Sequence, residues 1–150
     1  MGILANLTDE IKTAMRAKDS LKLEALRAIK SAVILEQTAA GGSDTLSDEQ
    51  EIKLVQKLVK QRKDSAQIFR EQNRPDLAEP EEAQAQVIAQ FLPEQLSEEE
   101  ITAIIQSIIE KTGASGMKDM GKVMGMASKE MAGKADGKTI STVVKEQLNS

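Results

Sequence analysis

TGASGMKDMGKVMGMASKEMAGKADG, residues 112–137, holds six of the nine glycines and five of the seven methionines in the chain. Helix interiors ordinarily avoid glycine, which costs about 1 kcal/mol against alanine at each position. A helix drawn from Met117 to Met131 nonetheless has two clean faces. Met117, Met120, Val123, Met124, Ala127 and Met131 recur on one side at about 100° per residue. Lys118, Lys122, Gly125 and Lys129 lie opposite, with Gly121 beside them. Two readings of that second face stand together. One is a bare, positive strip of backbone that can lie against phosphates, since no side chain holds the partner away. The other is a tightly packed helical hairpin, with glycines making room for a neighbouring helix and lysines merely solvated.

Working outward, the same helical period continues on both sides. Ser97-Glu98-Glu99-Glu100 reads as a capping box opening a helix whose Ile101, Ile104, Ile105, Ile108 and Ile109 make the richest apolar face in the sequence. Thr112-Gly113 stops it. After the Met/Gly helix, Gly133 to Gly137 turns the chain, and Asp136 can cap a last helix bearing Ile140, Val143, Val144 and Leu148. Leu92-Pro93-Glu94-Gln95-Leu96 reads as a boundary. Residues 93–150 are therefore expected to form a small three-helix domain and residues 1–92 a bundle of about four helices. The class is all-α, with no internal repeat relating the halves.

In the first part, a helix from Ile3 to Lys18 places Leu4, Leu7, Ile11 and Met15 on one stripe. Asp19 and Ser20 interrupt it and can cap a second helix, Leu21 to Ala39. That helix carries two stripes, Leu26/Ile29/Val33 and Leu21/Ala25/Ala28/Ala32/Leu35, which predicts neighbours on two sides. Gly41-Gly42-Ser43 ends it. Ser47 to Gln50 is a second capping box. Its helix, Asp48 to Gln72, should bury Val55, Leu58, Val59, Ala66 and Phe69 and turn Lys53, Lys57 and Lys60 outward. Asn73-Arg74-Pro75 breaks that helix. A fourth runs to about Phe91 with sparse apolar positions at Leu77, Val87, Ile88 and Phe91, and so should pack on one side. Pro80 fits it only within the first turn.

Composition removes whole classes of chemistry. Histidine and cysteine are both absent from the 150 residues, so disulfides, thiol chemistry, the usual metal ligands and the commonest neutral-pH base are gone. No catalytic residue, metal or cofactor is expected. Glu98 to Glu100 are explained by capping, and Ser65 beside Lys63 and Asp64 by an ordinary basic helix. The Gly121/Gly125 spacing would suggest membrane-helix pairing only within a long apolar segment, and no apolar run is long enough to span a bilayer. The start MGILANLTDE has no secretory pattern, and Asn6 stands where a myristoylation signal wants Ser or Thr. A cytoplasmic protein is the expectation.

The net charge of −4 conceals segregation. From Lys53 to Arg74 seven basic residues face only Asp64 and Glu71, from Asp76 to Glu100 every charge is acidic, and lysine again prevails from Lys111 to Lys138. Such zones permit nucleic-acid contact and are also common on solvated helices. With two phenylalanines and no Tyr or Trp, base stacking has little to work with. Any RNA would be held by its backbone and shape.

FLPEQLSEEEI (Phe91 to Ile101), TGASGMKDMGKVMG (Thr112 to Gly125) and GKADGK (Gly133 to Lys138) resemble the YqeY-like family. MRAKDSLKLEALRAIKSA (Met15 to Ala32) and VKQRKDSAQIF (Val59 to Phe69) fit it too. That family shares its C-terminal domain with the tail of the GatB subunit of the Asp/Glu-tRNA amidotransferase, where the tail helps hold tRNA. The resemblance implies an all-helical bundle joined to a three-helix tail, without the amidotransferase catalytic domain. Lys118, Gly121, Lys122, Gly125, Gly133, Lys134, Asp136 and Gly137 stand in the matching motif, and no catalytic residue transfers with it.

Three functions follow as expectations. The first is a non-catalytic accessory protein touching tRNA, or an aminoacyl-tRNA complex, through Lys118, Lys122, Lys129, Lys134, Lys138, Gly121 and Gly125, with Lys53, Lys57 and Lys60 as a secondary basic face. The second is a helical protein–protein adaptor docking through its methionines, without RNA. The third is a carbon–nitrogen ligase using glutamine as amido donor, a label the resemblance carries but for which the chain offers no nucleophile. The two basic faces would act as one surface if the domains turned the same way. Alternatively, the acidic helix from Asp76 to Gln90 clasps the basic one.

Overall fold

A computed structural model describes residues 2–39 and 45–149. Among them the chain forms seven α-helices and no strand, so the fold is all-α. The helices are α1 (Leu7–Arg16), α2 (Ser20–Ala39), α3 (Asp48–Glu71), α4 (Pro75–Ala89), α5 (Glu98–Thr112), α6 (Met120–Glu130) and α7 (Gly137–Leu148), with a 3₁₀ turn at Met117–Asp119. The turn expected at Gly41-Gly42-Ser43 lies outside the described residues. The chain divides into two compact units, with the boundary between Pro93 and Glu94.

In the first unit, α1 to α4 close around Leu4, Leu7, Ala14, Ala25, Leu26, Ile29, Val55, Val59, Ala85 and Ile88. α1 begins later than its periodicity suggests. Turn bonds from the Ala5 and Leu7 N–H groups to the Gly2 and Leu4 carbonyls place Leu4 in the core ahead of the helix. The buried line then runs from Leu7 to Ala14, seven residues on and nearly in phase. Met15 lies one step around the helix and is exposed, contrary to its expected place on the stripe. Asp19 opens α2, its Oδ1 accepting the Lys22 N–H at 3.1 Å. Of the second α2 stripe, Ala25 is buried while Leu21 and Leu35 are exposed.

α4 corrects two expectations. Pro75 takes the first helical position, and Pro80 lies inside the helix rather than in its first turn. Proline there leaves the Asp76 carbonyl without its i+4 donor, tolerable because both residues face solvent. α4 also packs on two neighbours, α3 and α2. Large apolar residues are sparse on α4, but Ala78 and Ala85 are buried and, lacking bulk, admit helices on two sides. The clasp is present within this unit. Arg70 reaches Glu82 at 2.6 Å, and Arg62 donates to Gln84 at 3.0 Å, joining the basic α3 to the acidic α4. At the head of α4, hydrogen bonding to Arg74 holds Asp76 below the usual carboxylate range.

The second unit packs α5, α6 and α7 around Ile101, Ile105, Ile108, Val123, Ala127, Met131, Ile140, Val143, Val144 and Leu148. α5 and α7 start or stop on chemistry written in the sequence. Ser97 and Glu100 form the reciprocal capping box at 3.1 Å in both directions. Gly113 closes α5 at φ 67°, a left-handed geometry that glycine adopts without strain. Asp136 Oδ1 accepts the Thr139 N–H at 2.6 Å and opens α7.

Asp136→Ala removes that acceptor and should lower stability by about 1 kcal/mol in denaturant titration. A change within a few tenths would show that the cap is idle. Glu100 titrates below the usual carboxylate range, chiefly through its hydrogen bond to the Ser97 backbone. Its contribution is thus present above the ordinary glutamate value and fades as pH falls through the lowered one. Glu100→Gln should therefore flatten the acid limb of the stability curve while changing it least at low pH.

Candidate nucleic-acid interface

α6 positions the strip. The 3₁₀ turn at Met117–Asp119 breaks the single helix drawn from Met117 to Met131, and the α-helical part is Met120–Glu130. Val123, Ala127 and Met131 are fully buried, while Met120 and Met124 pack partly buried against the same core. Met117 is exposed, because the tighter turn takes it out of phase with the helix. The methionine stripe is thus mainly core, and only its first member remains at the surface. Met126, outside the stripe, is exposed as well.

On the opposite face of α6, Gly121, Lys122, Gly125 and Lys129 are all exposed, and Lys118, in the 3₁₀ turn ahead of it, is exposed as well. A Cβ added at Gly121 or Gly125 would meet nothing within 4 Å. The glycines therefore do not make room for a neighbouring helix, which removes the packed-hairpin reading. Ser128 is exposed on the same strip, three residues beyond Gly125. The spacing made it readable, but a lone serine among lysines carries no charge signal.

The local electrostatics favour an anion. α6 has no acidic residue in its first turn, and Asp119 makes no side-chain cap. The Asp119 Oδ2 instead accepts the Ser115 N–H at 2.8 Å. The positive end of the helix dipole thus carries Lys122, with Lys118 just before it, an arrangement unfavourable for the helix in isolation. No ion pair involves Lys118, Lys122 or Lys129 among the described residues.

Lys134 and Lys138 are exposed but stand off this helix, on the turn after α6 and in the first turn of α7. That turn has a structural task. Gly133 adopts φ 77°, its carbonyl accepts Gln95 Nε2 at 2.8 Å, and the Lys134 carbonyl accepts the Leu96 N–H at 2.9 Å. The secondary face differs from α6. Lys53 pairs with Glu49 at 3.1 Å and Lys60 with Asp64 at 3.5 Å, leaving Lys57 without an ion pair among the described residues. Asp64 is thereby engaged away from Ser65. The described residues contain no group of three or more Asp or Glu that could hold a metal ion, and no helix long and apolar enough to cross a membrane.

Because both glycines are open to solvent, alanine should stabilise the fold. Gly125→Ala, in the helix interior, is expected to add about 1 kcal/mol, and Gly121→Ala, in the first turn, somewhat less. Denaturant titration of each variant checks this, and a loss of stability would mean that the surface over α6 is not free.

The profile of the Yqey-like protein family matches residues 4–148. Altered inheritance of mitochondria protein 41, mitochondrial, of Lachancea thermotolerans is 36% identical over 108 residues, which is 71% of this chain and 57% of that protein. The protein of the same name from Pyrenophora tritici-repentis is 31% identical over 151 residues, covering 99% of this chain and 82% of its own. A glutamyl-tRNA(Gln) amidotransferase subunit of Methanobrevibacter smithii is 46% identical over 57 residues, 35% of this chain and 9% of that protein. This chain thus spans under two thirds of the Lachancea protein and a small part of the amidotransferase one. With the profile covering all seven helices, and with the family expected from its FLPEQLSEEEI, TGASGMKDMGKVMG and GKADGK strings, the chain belongs to the Yqey-like protein family.

Proposed function

We propose that this chain is a non-catalytic accessory protein that holds folded tRNA, free or in an aminoacyl-tRNA complex, through the α6 strip of Lys118, Gly121, Lys122, Gly125 and Lys129. The observation that carries the reading is the open space over two glycines flanked by lysines without ion pairs. Glycine in a helix that nothing crowds weakens the fold, so its benefit must lie outside the fold. Bare backbone lets a phosphate ribbon approach closely while the lysines on either side supply charge. Lys134 and Lys138 add charge at the margins. The similarity to a protein named for glutamyl-tRNA(Gln) supports tRNA over other anions. The cytoplasm expected from the sequence and the mitochondrial setting named for the fungal relatives both contain tRNA, so the reading stands in either compartment.

The test is a titration with unmodified tRNA. Three lysines on phosphates predict an affinity that falls by roughly 40-fold between about 50 and about 200 mM salt. Lys122→Gln with Lys129→Gln should weaken binding and reduce the logarithmic salt slope by about 2. Gly121→Ala with Gly125→Ala should also weaken it, although the same pair stabilises the fold. Absence of binding at low salt would end the proposal, and full affinity in the alanine pair would end the close-approach part of it.

A further inference from the structure

We propose that the cleft between α2 and α3 is a docking groove for an amphipathic helix of a partner protein whose apolar stripe is flanked by acidic residues on one side. α2 outruns its own core. Beyond Val33 none of its described residues is buried, and Ile34 and Leu35 are 52% and 70% exposed. A single exposed leucine needs no explanation. Leu35, however, continues into a cleft of about 430 Å³ shared with Ala32, Leu54 and Leu58, all three half-buried. The result is an apolar patch of Ala32, Leu54 and Leu58 within a mixed lining, with the largely exposed Leu35 at its edge.

The rims decide the partner. The α3 side carries Lys53 and Lys57, and the α2 side carries Glu36. Lys57 forms no ion pair among the described residues, and the Lys53–Glu49 pair is exposed, of a kind worth little and readily exchanged. One wall is therefore positive and the other negative. A helix lying in the groove would set acid toward α3 and apolar residues onto Leu35, Leu54 and Leu58. The lining from Gln50 to Gln61 runs along about 16 Å of helix axis, three turns, which suits anchors spaced three, four and seven residues apart. Nucleic acid fits less well, because Glu36 stands on one wall, leucines lie between the walls, and no aromatic side chain lines the cleft for a base to stack on. Lys53 and Lys57 then serve as the rim of a protein groove rather than as an extension of the α6 strip.

The full chain is tested with two synthetic peptides of about 15 residues. One is helical, with leucines on a single stripe and glutamates along one flank, and its twin carries lysines in place of those glutamates. The glutamate peptide should bind saturably and the lysine peptide weakly. Leu35→Ser should reduce affinity by about tenfold, the loss expected when one leucine leaves an apolar interface. Leu35 lies outside the core, so this variant should melt at the parental temperature or above. Lys53→Glu with Lys57→Glu should reverse the preference toward the lysine peptide. The proposal is overturned if neither peptide saturates, if Leu35→Ser binds as tightly as the parent, or if the preference does not reverse. It is equally overturned if the double charge variant loses tRNA affinity while keeping that for the glutamate peptide, which would assign this face to RNA.

Discussion

α6 has one apolar stripe to bury and only eleven residues in which to do it. Once Val123, Ala127 and Met131 enter the core with the isoleucines of α5 and the valines of α7, the rotation of the helix is fixed, since turning it by one residue would expose all three. Everything opposite is then forced outward. The lysines and glycines of the strip owe their common face to this packing rather than to any bond among themselves. The second unit also depends on it at its edges. The turn that follows Met131 offers the Gly133 and Lys134 carbonyls to Gln95 and Leu96, tying the entry of the unit to the exit of α6.

Most of the architecture was legible because the sequence states it redundantly. Two capping boxes, an aspartate N-cap and a glycine C-cap mark helix ends, and the spacing of isoleucine and valine marks the faces between them. Legibility failed where the informative residue was small or the local rule was overridden. Ala78 and Ala85 contribute little to a count of apolar bulk, yet they determine that α4 touches two helices. Pro80 reads as a helix breaker, but at the sixth residue of α4, on a side that faces solvent, it costs one carbonyl partner rather than the helix. Met117 and Met15 depart from the periodicity for different reasons. Met117 sits in a 3₁₀ turn, where the helical phase that periodicity assumes is broken. Met15 lies within α1, where the smaller Ala14 takes the buried position beside it.

The strip was visible in the sequence as a composition, and its meaning was not. Glycines at such spacing serve equally well for a close helix crossing and for a bare surface, and only the surroundings of the missing Cβ atoms separate the two. Open space over Gly121 and Gly125 selects the surface. The lysines were similarly ambiguous. On α3, two of the three singled out find a carboxylate one turn away, whereas on α6 none does, because acid is absent from that face. Charge density along the chain could not reveal this difference, which arises from i,i+4 partners on one helix and their absence on another.

Natural sequences tend to agree with themselves at every level, so the places where they do not are informative. In each unit of this protein the disagreement is concentrated. In the second it lies on α6, where glycines and N-terminal lysines both oppose the helix that carries them. In the first it lies at the end of α2, where Ile34 and Leu35 meet water although the helix could have ended or turned polar at no cost to the core. The two departures differ in chemistry: one strips side chains away and adds charge, the other presents a large apolar side chain beside a groove. A polyanion meets the first requirement and not the second. An amphipathic helix meets the second and gains nothing from bare backbone. The two proposed partners, of different class and one for each unit, would account for both departures without asking either surface to do the other's work.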